Sequence, residues 1–139
     1  MRKWIWLALA AMLAAALACT STSGSAIGSG ESCDRSGNAG TCKGSYSKLS
    51  GAYSKTVKAD PVHANDAVPV EITVSVESGT VRVSAKAPDG TVASAEAKPG
   101  TPATLSGKAT GALGQFTVTF EAVDGDATGV TYTIAYQIQ

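Results

Sequence analysis

The chain is poor in the groups from which active sites are usually built. Its 139 residues hold a single histidine, His63 in "DPVHAND", with no GxSxG elbow and no thiol–base pair to accompany it. No glycine-rich loop leads into a helical pattern, so a phosphate cradle is absent too. The eleven acidic residues are spread over turns and outward strand positions, and their spacing nominates no acid–base pair. These absences predict a protein that is not an enzyme and carries no cofactor, with His63 as a loop residue. The basic residues are equally scattered, without the stripe that nucleic acid requires as a partner. Both tryptophans, Trp4 and Trp6, and both methionines lie in the first eighteen residues. Beyond them four Tyr and two Phe are the whole aromatic inventory, a meagre supply of stacking platforms for sugars. After Leu17 no apolar run approaches the length of a membrane helix.

What is present begins at the N-terminus. Arg2 and Lys3 precede an apolar run from Trp4 to Leu17, and Ala16 and Ala18 are small residues before a cleavage point. These are the three parts of an export signal, here residues 1–18. The run of about fourteen residues would span roughly 21 Å as a helix, short of a hydrocarbon core of about 30 Å.

Export bears on the cysteines. Cys33 and Cys42 bracket "CDRSGNAGTC", whose Gly37, Asn38 and Gly40 permit a tight reversal. In an oxidising compartment these two are expected to form a disulfide, which closes a short loop and stabilises the fold by roughly 3 kcal/mol. Two thiols with one distant histidine make no zinc set. Cys19 is then left over, and an odd cysteine in an exported chain asks for an explanation.

The run Ala15-Ala16-Leu17-Ala18-Cys19 resembles the lipobox of bacterial lipoproteins, with Leu17 one position later than in the strictest form of that pattern. The resemblance implies that Cys19 carries lipid, becomes the first residue of the mature chain and holds the protein at a membrane of the cell envelope. Thr20 after the cysteine would imply the outer membrane where two membranes exist. The alternative is ordinary cleavage after Ala18 and release of a soluble, secreted module. Residues 19–32, mostly Ser, Thr and Gly, read as a flexible tether that keeps a domain of residues 33–139 clear of the headgroups.

From about residue 43 the dominant period is two. Val70, Ile72, Val74 and Val76 share one face, and Glu71, Thr73, Ser75 and Glu77 the other. Ser78-Gly79 offers a two-residue turn, which predicts a hairpin of Val70–Val76 with Val81–Ala87 and sets Glu71 opposite Lys86. "APDGTV" marks a second turn, a weak strand follows over Val92–Ala97, and Leu105 lies in another short segment. Phe116, Val118, Phe120 and Ala122 line one later strand, and Val130 to Ile138 at every second position the last. The near-repeat "GSYSKLS"–"GAYSKTV" has an odd period, so a break at Gly51 is expected, with Tyr53 and Val57 facing the core and Tyr46 the freest aromatic.

Seven or so short strands with regular turns predict an all-β, antiparallel β-sandwich of jelly-roll or immunoglobulin-like form. Tyr53 and Val57, the Pro88-Asp89-Gly90-Thr91-Val92 step, Gly114 with Phe116, and Tyr132 with Ile134 resemble the bacterial pre-peptidase C-terminal type of domain. That resemblance implies the same sandwich architecture.

One segment suggests a metal. Asp124, Asp126 and Thr128, followed by Gly129, resemble the first half of a calcium loop, but its twelfth position is Ala135, which offers no carboxylate. A polar turn between strands is the reading preferred over a metal site. Taken together, the residues describe a lipid-anchored envelope protein whose sandwich is a non-catalytic binding or structural module. Its partners are the membrane and, through the domain, an envelope protein or a polysaccharide.

Overall fold

A computed structural model describes residues 24–59, 63, 66–87, 90–109 and 114–138. Cys19 and the expected signal segment lie outside the described residues. Ten strands follow one another: β1 Ser25–Ile27, β2 Gly30–Ser36, β3 Ala39–Ser50, β4 Ala52–Lys58, β5 Val68–Ser75, β6 Val81–Lys86, β7 Val92–Ala97, β8 Ala103–Ala109, β9 Gln115–Ala122 and β10 Ala127–Gln137. No helix occurs among the described residues. The chain is an antiparallel β-sandwich.

Its topology is a ribbon folded over on itself. β6 pairs with β7, β5 with β8, β4 with β9 and β3 with β10. The ribbon then closes sideways, β10 against β5 and β9 against β6. One sheet runs β3-β10-β5-β8 and the other β4-β9-β6-β7, with β1 and β2 added along the free edge of β3. This is the jelly roll, not the immunoglobulin-like arrangement. Alternation supplies its core: Ile72, Val74, Val81, Val83, Val118, Phe120, Val130 and Ile134 are fully buried between the sheets. Each stabilises the fold by about 1.5–3 kcal/mol through its burial.

The expected hairpin through Ser78-Gly79 does not form. β5 and β6 lie in different sheets, so Glu71 sits beside Ala135 and Ser106 instead of Lys86. The segment between them docks on the start of β10. The Glu77 and Ser78 amides donate to the Thr128 carbonyl at 3.1 and 3.2 Å, and the Thr128 amide returns a bond to Ser78 at 3.0 Å. Gly79 has a φ of 86°, and a β-carbon there would meet the Asp126 carbonyl oxygen at 2.8 Å. Alternation had shown correctly which faces are buried. It carries no information on which strand lies alongside, because both β5 and β6 face the same core from opposite walls.

The first strands correct the tether. Ser25–Ile27 pair with Lys48–Ser50, and Gly30–Ser36 with Ala39–Ser45, so the described part of residues 19–32 is largely sheet edge. β2 is exposed along its whole length, so backbone pairing holds it there, not burial. Cys33 lies directly opposite Cys42, and the expected disulfide joins them. The reversal between β2 and β3 is Gly37, with a φ of 58°, and Asn38, whose carbonyl accepts from the Ile138 amide at 2.6 Å.

Candidate functional site

The two sheets do not fill the space between them evenly. Along β6 the inward residues shrink from Val81 and Val83 to Ala85 and Ala87. On β7 the partner of Ala85 is Ala93, and on β8 the inward series passes from Leu105 to Gly107. The backbone ladders hold these strands at sheet spacing, so short side chains leave a gap that the walls cannot close. The result is an apolar cleft of about 390 Å³, floored by Val70, Ile72 and Phe116 and walled by Ala85, Ala93 and Gly107. A β-carbon built on Gly107 meets nothing within 4 Å, and its backbone does not need glycine. Thr91, Ser106 and Lys108 border the cleft and are exposed; Ser106 and Lys108 alternate with the inward Leu105 and Gly107, so β8 presents their side chains on its outer face.

The mouth is at a defined end of the sandwich. Val70 pairs with Gly107 and with Tyr136, next to the Gln137–Ala39 rung. The N-terminal strand β1 pairs with the other end of β3, at Ser50. About ten residues of strand, roughly 33 Å, separate the two ends.

A polar cluster closes one side of the molecule. The Glu31 carboxylate on β2 receives both the Lys55 ammonium and the Tyr132 hydroxyl. Lys55 Nζ also donates to Tyr132 Oη at 3.3 Å and lies 5.2 Å from that ring's centroid. Burial lowers the pKa of Lys55 and pushes those of Tyr132 and Tyr46 up, so both phenols stay protonated at neutral pH. Tyr132 can lie there because Gly44, its cross-strand partner, has no side chain: a β-carbon on Gly44 would fall on the tyrosine ring. Tyr136 covers Gly40 in the same way. This cluster ties the edge strand to the opposite sheet and among its residues leaves no buried polar atom without a partner.

Tyr46, expected to be the freest aromatic, is 3% exposed and packs on Tyr132 and Phe120 at 5.5 and 5.7 Å. Tyr53 touches it edge-on at 5.6 Å and is 38% exposed, the one exposed large aromatic among the described residues. The expected break at Gly51, with a φ of 65°, is present, but it carries the chain from one sheet to the other, so Tyr46 on β3 and Tyr53 on β4 meet between the sheets. Val57 is buried as expected.

Asp126 is engaged with Lys48 Nζ at 2.6 Å and Ser50 Oγ at 2.6 Å, while Thr128 belongs to β10 and Asp124 is exposed in the turn. The one cluster of three metal-ligating side chain types among the described residues is Glu31, Cys33 and Cys42, whose two sulfurs are joined in the disulfide. His63 is exposed, and its carbonyl accepts from the Asp66 amide at 3.2 Å.

No protein-family model and no curated protein matches the sequence. Solved structures with a similar course of the chain do exist. A carbohydrate-binding module in complex with β-1,4-galactotriose is 13% identical, with a TM-score of 0.42 over 79% of this chain and 88% of that one. A recombinant oxalate oxidase in complex with glycolate is 9% identical, with a TM-score of 0.43 over 80% of this chain and 51% of that one. An uncharacterized protein of Listeria monocytogenes in complex with glucose, magnesium and calcium is 16% identical, with a TM-score of 0.43 over 82% of this chain and 11% of that one. The chain thus spans about half of the oxalate oxidase and a ninth of the Listeria protein. The jelly-roll assignment rests on the strand pairing of this chain itself.

The alanines and Gly107 that shape the cleft escaped sequence reasoning. One signal was available: a glycine inside a strand that no turn requires marks a bulge or a close approach.

Proposed function

We propose that this chain is a lipid-anchored cell-envelope protein whose jelly-roll domain is a non-catalytic binding module, with the cleft between the sheets as its binding site. The cleft carries the reading. It is concave and apolar, and its volume lies within the range of small-ligand sites, about 300–1,000 Å³. Its described lining offers no pair of titratable groups between which a proton could pass.

The anchor rests on Cys19 in its lipobox-like setting. From Cys19 to Ser25, where pairing begins, the chain reaches about 20 Å at full extension. A tether of that length holds the sandwich close to the bilayer by its β1 end, and the cleft opens at the other end, towards the aqueous space.

Membrane fractionation of wild type and Cys19→Ala tests the anchor. The reading expects wild type in the membrane fraction and the variant released; equal amounts of both in the soluble fraction refute it. Because β2 begins at Gly30, a bait for partner capture has to include residues 20–32. Reproducible hydrolysis by the purified protein, abolished by one side-chain change, would overturn the non-catalytic part.

A further inference from the structure

We propose that Glu31, Cys33 and Cys42 form a zinc site when the two cysteines are thiols, and that the disulfide is the oxidised state of the same site. Sequence spacing offers these thiols no histidine; the fold gives them a carboxylate instead. Glu31 and Cys33 stand two residues apart on β2 and so point to one face, and Cys42 lies opposite Cys33 on β3. The ligand atoms of all three lie within 4.8 Å of one another, and Glu31 Oε1 is 3.7 Å from the Cys33 sulfur. Zinc takes sulfur at about 2.3 Å and carboxylate oxygen at about 2.0–2.2 Å, so the sulfurs must part to about 3.8 Å to hold it tetrahedrally. Rotation of the exposed Cys33 side chain supplies that movement. Two thiolates select a thiophilic ion, and the carboxylate beside them favours zinc over copper(I). Three protein ligands leave the fourth position to water on the solvent side, where Glu31 and Cys33 are exposed.

The setting of Glu31 is an independent argument. Its Oε2 atom receives the Lys55 ammonium and the Tyr132 hydroxyl, which leaves Oε1 turned towards the sulfurs. Tyr132 reaches it across Gly44, the cross-strand partner of both residues, because Gly44 has no side chain. Ligating carboxylates are held in this way, by hydrogen bonds that fix the remaining oxygen on the metal. The charges balance as well: two thiolates and a carboxylate exceed the charge of zinc by one, and the Lys55 ammonium supplies the difference. The two states interconvert by thiol–disulfide exchange with an external dithiol. One thiolate of the dithiol attacks the exposed Cys33 sulfur and Cys42 leaves as a thiolate; the second sulfur of the dithiol then attacks the mixed bond and releases Cys33. The dithiol gives up two electrons and becomes a disulfide, and zinc displaces the protons of the two thiols it binds. In either state a staple joins β3 to the edge strand β2, which burial does not hold.

The test uses the full chain with Cys19→Ala, which leaves Cys33 and Cys42 as its cysteines, reduced with a phosphine and kept free of oxygen. Cobalt(II) is the spectroscopic probe and zinc its competitor. One equivalent of cobalt should raise a thiolate-to-metal charge-transfer band, one equivalent of zinc should remove it, and the oxidised protein should show none. Zinc should also protect both thiols from alkylation. Glu31→Gln should weaken zinc by about tenfold or more, and Tyr132→Phe, which loosens the carboxylate without removing a ligand, should keep the band and weaken the metal by about tenfold. Circular dichroism of the reduced variants checks that they are folded, and the spectrum of the reduced Cys19→Ala protein decides by itself if they are not. No band in that protein, uptake of more than one equivalent, equal binding by the oxidised form, or a band retained when Cys33 and Cys42 are both replaced by serine overturns the site. Unchanged zinc affinity in a folded Glu31→Gln protein overturns the carboxylate as ligand.

Discussion

Replacing Gly44 by alanine and Gly107 by alanine makes the same chemical change at two inward strand positions, and the two results should differ in sign. Both glycines have extended backbones, so the entropy removed from the unfolded chain is about equal and cancels in the comparison. In each case an alanine suits a strand better than glycine by roughly 0.5–1 kcal/mol. At Gly107 nothing lies within 4 Å of the new methyl, so that gain is realised. At Gly44 the methyl falls on the ring of Tyr132. That ring is held by Tyr46 and Phe120 at 5.5 and 4.8 Å and by its bonds to Glu31 and Lys55, so it has little room to yield. Overpacking of this kind costs about 1–3 kcal/mol and exceeds the strand gain. The net expectation is a loss of roughly 1–2 kcal/mol for Gly44→Ala, a fall in Tm of about 4–10 °C. Gly107→Ala should raise Tm by about 2–5 °C. Thermal melts and urea titrations of both variants measure this, with unchanged m-values showing that the unfolded state is comparable. If the two midpoints move together, in either direction, the packing described around Tyr132 and the gap at Gly107 are wrong.

Val74 is fully buried between Tyr132 on β10 and Ala103 on β8, so Val74→Asp should abolish the cooperative melt seen by circular dichroism, whereas Val74→Ala should only lower it by about 2 kcal/mol. Thr73 and Thr104 are partners on the outer face, so cysteines at these two positions should cross-link on oxidation; cysteines at Glu71 and Lys86, in different sheets, should not. Bonds from Lys48 and Ser50 lower the pKa of Asp126 below its ordinary 3.8. The stabilising contact is therefore complete above that value and is lost as pH falls through the lower, folded pKa. A carboxyl NMR titration should show a midpoint below 3.8 that moves back towards it in Lys48→Met, and an unshifted wild-type midpoint would contradict the contact.

Periodicity was enough to read the class of fold and most strand positions, because a half-buried strand declares its buried face at every second residue. Pairing was less legible. The pattern of β5 fits β6 as well as its true neighbours β8 and β10, and β8 is weakly marked because Gly107 and Lys108 interrupt it. β2 declared nothing through burial, since all seven of its residues are exposed. Its placement was nevertheless implicit in the disulfide: a bond across the Gly37-Asn38 turn lays the residues before Cys33 alongside those after Cys42. Tyr46 was misplaced because the break at Gly51 moves the chain from one sheet to the other, so that both tyrosines meet between the sheets. The cleft was the least visible feature, being made by side chains too small to meet across it.

The central claim, an anchored module, is tested most directly by the mass of the mature N-terminal peptide. The account predicts a peptide that begins at Cys19 and is heavier by its attached acyl chains, a modification lost with the cysteine in Cys19→Ala. A mature chain that begins at Cys19 with no added mass, or retains the residues before it, would contradict the account.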